Sequence, residues 1–223
     1  MYAQVNLKTR DIEVVRGGNI KLRWDTKSLF IEGTVDGFVL DNYEIQKLEN
    51  PKSIILKIPQ ILPRLVGSFK LIVGDSGKFE LAAIDSTGIS EMYYATIHDK
   101  NDAYLLLGTD FITIARNLKR LSYNRQELTF FIKHGYCRFG RTIFNEIRRI
   151  PPGHYLTIKN GTIKNINYLN YYQSYRGGHD YQDFKRIFES SLIWNYKKNP
   201  GTPFVLLSGG LIQQPLQVVY IRY

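Results

Sequence analysis

Phe69-Lys70-Leu71-Ile72-Val73, Lys78-Phe79-Glu80-Leu81-Ala82-Ala83-Ile84, Met92-Tyr93-Tyr94-Ala95-Thr96-Ile97 and Ala103-Tyr104-Leu105-Leu106-Leu107-Gly108 are four short runs rich in aromatic and branched residues. Turn chemistry parts them, at Gly74-Asp75-Ser76-Gly77, Asp85-Ser86-Thr87-Gly88 and His98-Asp99-Lys100-Asn101-Asp102. Apolar runs of this length between such turns are strands, and their succession predicts an antiparallel meander. Upstream, the chain also reads as strands and turns. Downstream the period lengthens: helical spacing marks Phe111 to Leu118 and Arg125 to His134, where Leu128, Phe131 and Ile132 share a face and Gly135 suits the exit. Pro151-Pro152-Gly153 enforces a turn before a strand at Tyr155 to Ile158, and Lys159-Asn160-Gly161-Thr162 reads as a hairpin loop returning through Ile163. The expected class is α+β, with sheets flanked by helices.

Composition narrows the function classes. The chain of 223 residues carries a net charge of +10, but its Lys and Arg residues are dispersed, in pairs such as Lys119-Arg120, Arg148-Arg149 and Lys197-Lys198. Pairs of this kind are usually solvated surface, and no nucleic-acid-binding signature accompanies them, so no nucleic-acid partner is expected. No apolar run approaches the ~18 residues of a membrane span, and Met1 to Arg10 is mixed polar; a cytoplasmic protein without a membrane partner is the expectation. The single cysteine, Cys137, excludes an internal disulfide, and it reads as a packing residue. His98, His134, His154 and His179 have no paired ligand spacing, and no metal site is expected.

From Tyr168 the texture changes. Residues 167–178 are polar and aromatic with paired glycines, which suits a linker, and a helix follows from Tyr181 to Tyr196 with Phe184, Ile187, Phe188, Ser191 and Leu192 on one face. Asn199-Pro200-Gly201 ends it before the apolar strand Phe204-Val205-Leu206-Leu207, which runs into Ser208-Gly209-Gly210. Small residues after a buried strand let backbone N–H groups approach phosphate oxygens, so Leu206, Ser208, Gly209 and Gly210 are the candidate nucleotide-binding residues. The run resembles the Ser-Gly-Gly-x-Asp-Ser loop of PP-loop ATP pyrophosphatases, with Ile212 in place of the Asp. It is not a Walker A loop, since no Lys-Ser or Lys-Thr follows the glycines. One spelling of Ile212-Gln213-Gln214, read one base earlier, encodes Asp-Ser-Thr; a single-base loss after Leu211 is the expected cause of the break.

Several separated segments together resemble the asparagine synthetase family. Gly67-Ser68-Phe69, Asp75, Leu81-Ala82-Ala83-Ile84-Asp85, Gly88 and Tyr93-Tyr94 are similar to one block of that family. Gly135-Tyr136, Thr142-Ile143-Phe144, Ile147, Ile150-Pro151-Pro152-Gly153-His154 and Leu207-Ser208-Gly209-Gly210-Leu211 are similar to others, in the same order over residues 65–211. The resemblance implies an Ntn-hydrolase-type sandwich of two antiparallel sheets flanked by helices over residues 1–175. Residues 176–223 would then be the helix and first strand of an α/β PP-loop synthetase domain. It also implies a parent ligase that adenylates a carboxylate with ATP and magnesium and then forms an amide, as in asparagine biosynthesis.

The same resemblance places a cysteine nucleophile directly after the initiator Met, with its α-amino group as base. Tyr2 stands there, and a phenol of pKa about 10 is a poor substitute for a thiol of about 8.5. No catalytic residue is assigned: Asp36-Gly37-Phe38 lacks the family's glutamine-holding Asn-Gly-Glu, neither Arg16 nor Arg23 is placed on the family's Arg, Asp85 with Gly88 reads as a turn, and His154 reads as a strand start or as stacking at the domain seam. Cysteine-less members such as β-lactam synthetase are the nearest functional analogue. The expectation is an inactive chain that binds no ATP or magnesium by itself, pairing with a missing synthetase domain or forming a homo-oligomer. The alternative is a non-catalytic scaffold module acting with a partner protein.

Overall fold

The computed structural model describes residues 1–16, 20–39, 45–47, 56–99, 102–169 and 181–198. The chain divides into two compact units, residues 1–38 with 47–171 and residues 39–46 with 172–223. In chain order the strands are β1 (Tyr2–Asn6), β2 (Ile12–Arg16), β3 (Ile20–Trp24), β4 (Lys27–Val39), β5 (Ile45–Lys47), β6 (Leu65–Asp75), β7 (Lys78–Ile84), β8 (Tyr93–Asp99), β9 (Asp102–Gly108), β10 (Ile147–Arg149), β11 (His154–Lys159) and β12 (Thr162–Asn167). The helices are α1 (Phe111–Arg116), α2 (Arg125–His134) and α3 (Tyr181–Lys198).

The first unit is built on two antiparallel sheets. One has the order β10-β8-β9-β1-β2, and the other runs β12-β11-β7-β6-β4-β3. Period-2 alternation gives each sheet an inward face, and the two faces meet in a core of Met1, Ala3, Val5, Leu105 and Leu107 against Phe30, Ile72, Ala82, Ile84 and Leu156. The outer face of the first sheet packs Ala95, Leu106 and Ile147 on Ile114 of α1. Beyond the second sheet, Leu29, Ile31, Leu71 and Val73 are covered by Ile58 and Leu62, with Tyr168 closing the edge. A sandwich is therefore present with few helices, and loop-borne apolar residues do part of the covering.

The four-strand meander is corrected to two hairpins. β6 pairs with β7 and β8 pairs with β9, but β7 and β8 belong to different sheets. The segment between them turns because Asp85 is buried and spends its carboxylate on the backbone. Its Oδ1 accepts from the N–H groups of Thr87 (2.9 Å) and Gly88 (2.8 Å), and Oδ2 accepts from Ser90 N–H at 3.3 Å. This bears out the turn reading of Asp85. Gly88 has no Cβ to meet Pro152, whose Cγ would lie 2.4 Å from it, and Gly153 N–H donates to the Asp85 carbonyl at 3.3 Å. Two motifs far apart in sequence thus form one corner, and His154 begins β11 as its place after that corner suggests.

Helix α2 has the expected bounds and ends, with Asn124 capping the N–H of Glu127 at 3.2 Å and Gly135 in the left-handed conformation at φ 79°. Its buried face is different from the one marked by apolar residues. Phe131 and Ile132 are exposed, the latter at 77 %, whereas Glu127 is fully buried. Arg138 donates to Glu127 through Nε (3.1 Å), Nη2 (2.7 Å) and its backbone N–H (3.1 Å), and Arg141 adds a fourth donor at 3.2 Å. Burial alone would raise the Glu127 pKa, but these hydrogen bonds outweigh it and hold the carboxyl below its ordinary value.

The second unit contributes β5 and α3. Along α3, Phe184 stacks on Phe188 with ring centroids 5.8 Å apart, Phe188, Ser191 and Leu192 are half-buried, and Phe184 and Ile187 are exposed. No helix among the described residues is long and apolar enough to cross a membrane.

Glu127→Ala is expected to destabilise the fold by on the order of 2–3 kcal/mol, because two guanidinium groups lose a shared buried partner. A folded-state pKa held below the unfolded value contributes stability above the unfolded pKa and loses it as pH falls through the folded one. Urea unfolding should therefore show wild type and variant converging below the carboxylate range, and a constant gap across pH would contradict this.

Candidate functional site

Strand β1 lies inside the first sheet, between β9 and the edge strand β2. Its alternation turns Met1, Ala3 and Val5 toward the inter-sheet core, and Tyr2 packs on the opposite face among Ala95, Leu106 and Ile114. At the start of this strand the Met1 ammonium donates to Glu32 Oε2 at 2.5 Å and to Thr109 Oγ1 at 2.8 Å. The Thr109 hydroxyl donates to Glu32 Oε2 at 2.9 Å, and Lys70 Nζ donates to Oε1 at 2.9 Å. Thr109 N–H closes the group by donating to the Met1 carbonyl at 3.0 Å.

Three elements deliver these groups. Glu32 of β4 stands opposite Lys70 of β6, beside a close approach of the two backbones that runs from Gly33 to Gly67. A Cβ on Gly33 (φ 104°) would lie 2.1 Å from the Ser68 carbonyl oxygen, and one on Gly67 (φ 145°) 2.2 Å from that of Thr34, so only glycine fits either place. Thr109 follows the last residue of β9. Burial pushes the Glu32 carboxyl up, but hydrogen bonds from the Met1 ammonium, Lys70 and Thr109, with the ammonium's charge, bring it down to about 2. The cluster is a carboxylate held between two cations.

Such an arrangement does not activate a nucleophile. Among the described residues the cluster contains no thiol, and its only hydroxyl, on Thr109, is engaged with Glu32. The Met1 nitrogen spends its hydrogen bonds on Glu32 and Thr109. Tyr2 is half-buried under α1, and burial, followed by the nearby charge of Glu13, raises its pKa above the usual phenol value. Cys137 lies in the segment after α2, and burial first and Glu127 second raise its thiol pKa, with Arg149 opposing. Asp36, Gly37 and Phe38 lie inside β4, and Arg16 and Arg23 lie in β2 and β3.

The candidate nucleotide-binding residues Leu206, Ser208, Gly209 and Gly210 lie outside the described residues, as do Tyr171, Tyr172 and Tyr175 of the aromatic stretch. Tyr168 is described, and its hydroxyl donates to the Ile84 carbonyl at 2.6 Å, which makes it part of the first unit. Sequence reasoning missed Glu32, Lys70 and Thr109. The available signal was a single charge directly after the apolar run Leu29 to Ile31 and another inside Phe69 to Val73, both on the face that alternation directs inward.

An interior amino-terminal strand, an antiparallel sandwich and a polar group at the first residue are the setting of the family comparison. The model of the glutamine amidotransferase domain matches residues 55–172, more than half of the chain. The chain belongs to the glutamine amidotransferase domain family. The match spans β6 to β12 with α1 and α2, including Lys70 and Thr109, and begins after β1 and β4. No match was found among curated proteins. The matched residues include the corner at Asp85 and Pro152, while the amino-terminal strand, outside the match, carries Tyr2 on the outer face.

Glu32→Gln is expected to cost about 1–2 kcal/mol at neutral pH, allowing for solvent screening of a carboxylate at the edge of the core. The folded pKa is lowered, so the contribution is complete above the unfolded value near 4.5 and is lost as pH falls toward about 2. Chemical unfolding of wild type and variant between pH 6 and pH 2 checks this. A difference that persists unchanged to pH 2 would show that Glu32 does not carry its charge into the cluster.

Proposed function

We propose that the chain is a glutamine amidotransferase domain that has lost glutamine hydrolysis and belongs to an asparagine-synthetase-like, amide-forming ligase of the cysteine-less kind. The observation that carries the reading is the placement of Tyr2, whose side chain occupies the outer face of the first sheet while the neighbouring amine is bound to Glu32. Glutamine hydrolysis needs a thiolate and a free amine at one point, and this arrangement supplies neither. An amino-terminal strand inside one sheet of an antiparallel sandwich supports an Ntn-hydrolase-type ancestry for residues 1–175.

On this reading residues 176–223 are the helix and first strand of the synthetase domain. Leu206, Ser208, Gly209 and Gly210 would supply the backbone N–H groups of a phosphate cradle. The donor set does not fit magnesium, because Ile212 offers no oxygen where the PP-loop carries a carboxylate. No step through ATP is assigned to this chain, and its role is that of a folded domain requiring a complete synthetase domain or a second copy for activity. A cytoplasmic location is part of the same proposal.

Two measurements test it. Incubation with glutamine is expected to release no ammonia above the uncatalysed background, and Tyr2→Cys, with Met1 retained as checked by intact mass, is expected to leave that unchanged because the new thiol faces α1. Turnover by either protein would contradict the loss of hydrolysis. For the ligase assignment, the gene beyond the Leu211 codon is expected to encode the remainder of a synthetase domain in one reading frame. Absence of such a frame would overturn that part alone.

A further inference from the structure

A second polar site lies in the first unit, away from the amino-terminal cluster. The short edge strand β10 and the loop before it enclose a cavity of about 380 Å³ whose lining includes Arg141, Arg148, Arg149, Asn124, Asn145 and Asn165, and no Asp or Glu. Its walls are fixed by internal hydrogen bonds. Arg149 N–H donates to the Gly140 carbonyl at 2.8 Å, the buried Thr142 hydroxyl donates to the Ile147 carbonyl at 2.7 Å, and Asn145 Nδ2 donates to Ser122 Oγ at 3.0 Å.

The charges around it do not cancel. Arg149 gives one Nη1–H to Glu91 at 2.5 Å, but its Nε is buried and has no hydrogen-bond partner among the described residues. Arg141 shares the Glu127 carboxylate with Arg138, so one negative charge serves two guanidinium groups. Arg148 has no carboxylate partner among the described residues and lies beside the Tyr94 hydroxyl, whose pKa burial raises and Arg148 lowers in turn. Three guanidinium groups around one space repel one another and leave donors unspent, a cost that an oxyanion removes. Planar guanidinium forks and amide N–H groups match carboxylate and phosphate oxygens, and the volume falls within the ~300–1,000 Å³ usual for small-molecule sites.

We propose that this cavity binds a small molecule bearing a carboxylate or phosphate group, with Arg148 and Arg141 as its principal partners. The site shares no residue with the Met1–Glu32 cluster and does not depend on the fate of glutamine hydrolysis. Calorimetric titration of the full chain with inorganic phosphate and, separately, with malonate, at ionic strength held constant with chloride, tests it. Saturable one-to-one binding of either is expected, phosphate alone or malonate alone telling which oxyanion the site prefers. Arg148→Gln should weaken it by about tenfold or more, and Arg141→Gln should also weaken it. Lys159→Gln, outside the cavity, should leave it unchanged, with circular dichroism verifying the fold of each variant. No saturation by either anion, or equal binding by folded Arg148→Gln, overturns the proposal.

Discussion

The ion pair between the Met1 ammonium and Glu32 fixes where the first strand begins, and strand register decides everything that follows from it. Side chains alternate along a strand, so a slip of one residue exchanges the two faces. With the amine held by Glu32 and Thr109, Met1, Ala3 and Val5 enter the inter-sheet core and Tyr2 is directed under α1. Lys70 on the other Glu32 oxygen ties the same point to β6, the strand that joins β4 to β7 in the second sheet. One carboxylate thereby sets the relation between the strand that starts the chain and the sheet it faces.

On the proposed reading, that register lets an amidotransferase domain hold its fold without the family's chemistry. The sheets, the Asp85 corner and the Pro152 contact use apolar packing and backbone hydrogen bonds that make no demand on a nucleophile. The Met1 nitrogen, by contrast, is engaged by Glu32 and Thr109. What would be a reactive point becomes an anchor, at a place where a polar group buried without a partner would cost stability.

Local structure was legible in the sequence wherever turn chemistry is local. The Lys78–Ile84 strand, the α2 bounds with Gly135 at its exit, and the hairpin at Asn160-Gly161 follow from residues within a few positions of one another. Long-range decisions were not legible. Nothing in Asp85 to Ser90 says that the chain leaves one sheet for the other, because that depends on Pro152 and Gly153 arriving from far along the chain. Glu127 did not stand out in the sequence, since its partners, Arg138 and Arg141, lie beyond the helix. The Met1–Glu32 cluster failed to show for the same reason, with 31 residues separating amine from carboxylate. Tyr2 was the exception: its chemistry alone excluded a thiolate before its position was known.

The central claim is that no group at the amino terminus is a nucleophile. The most direct measurement treats the full chain with a diazoketone analogue of glutamine, which alkylates a reactive amidotransferase nucleophile, and reads the intact mass followed by peptide mapping. The account predicts an unmodified chain under conditions that label a thiol-bearing amidotransferase to completion. A stoichiometric adduct mapped to Met1 or Tyr2 would contradict it.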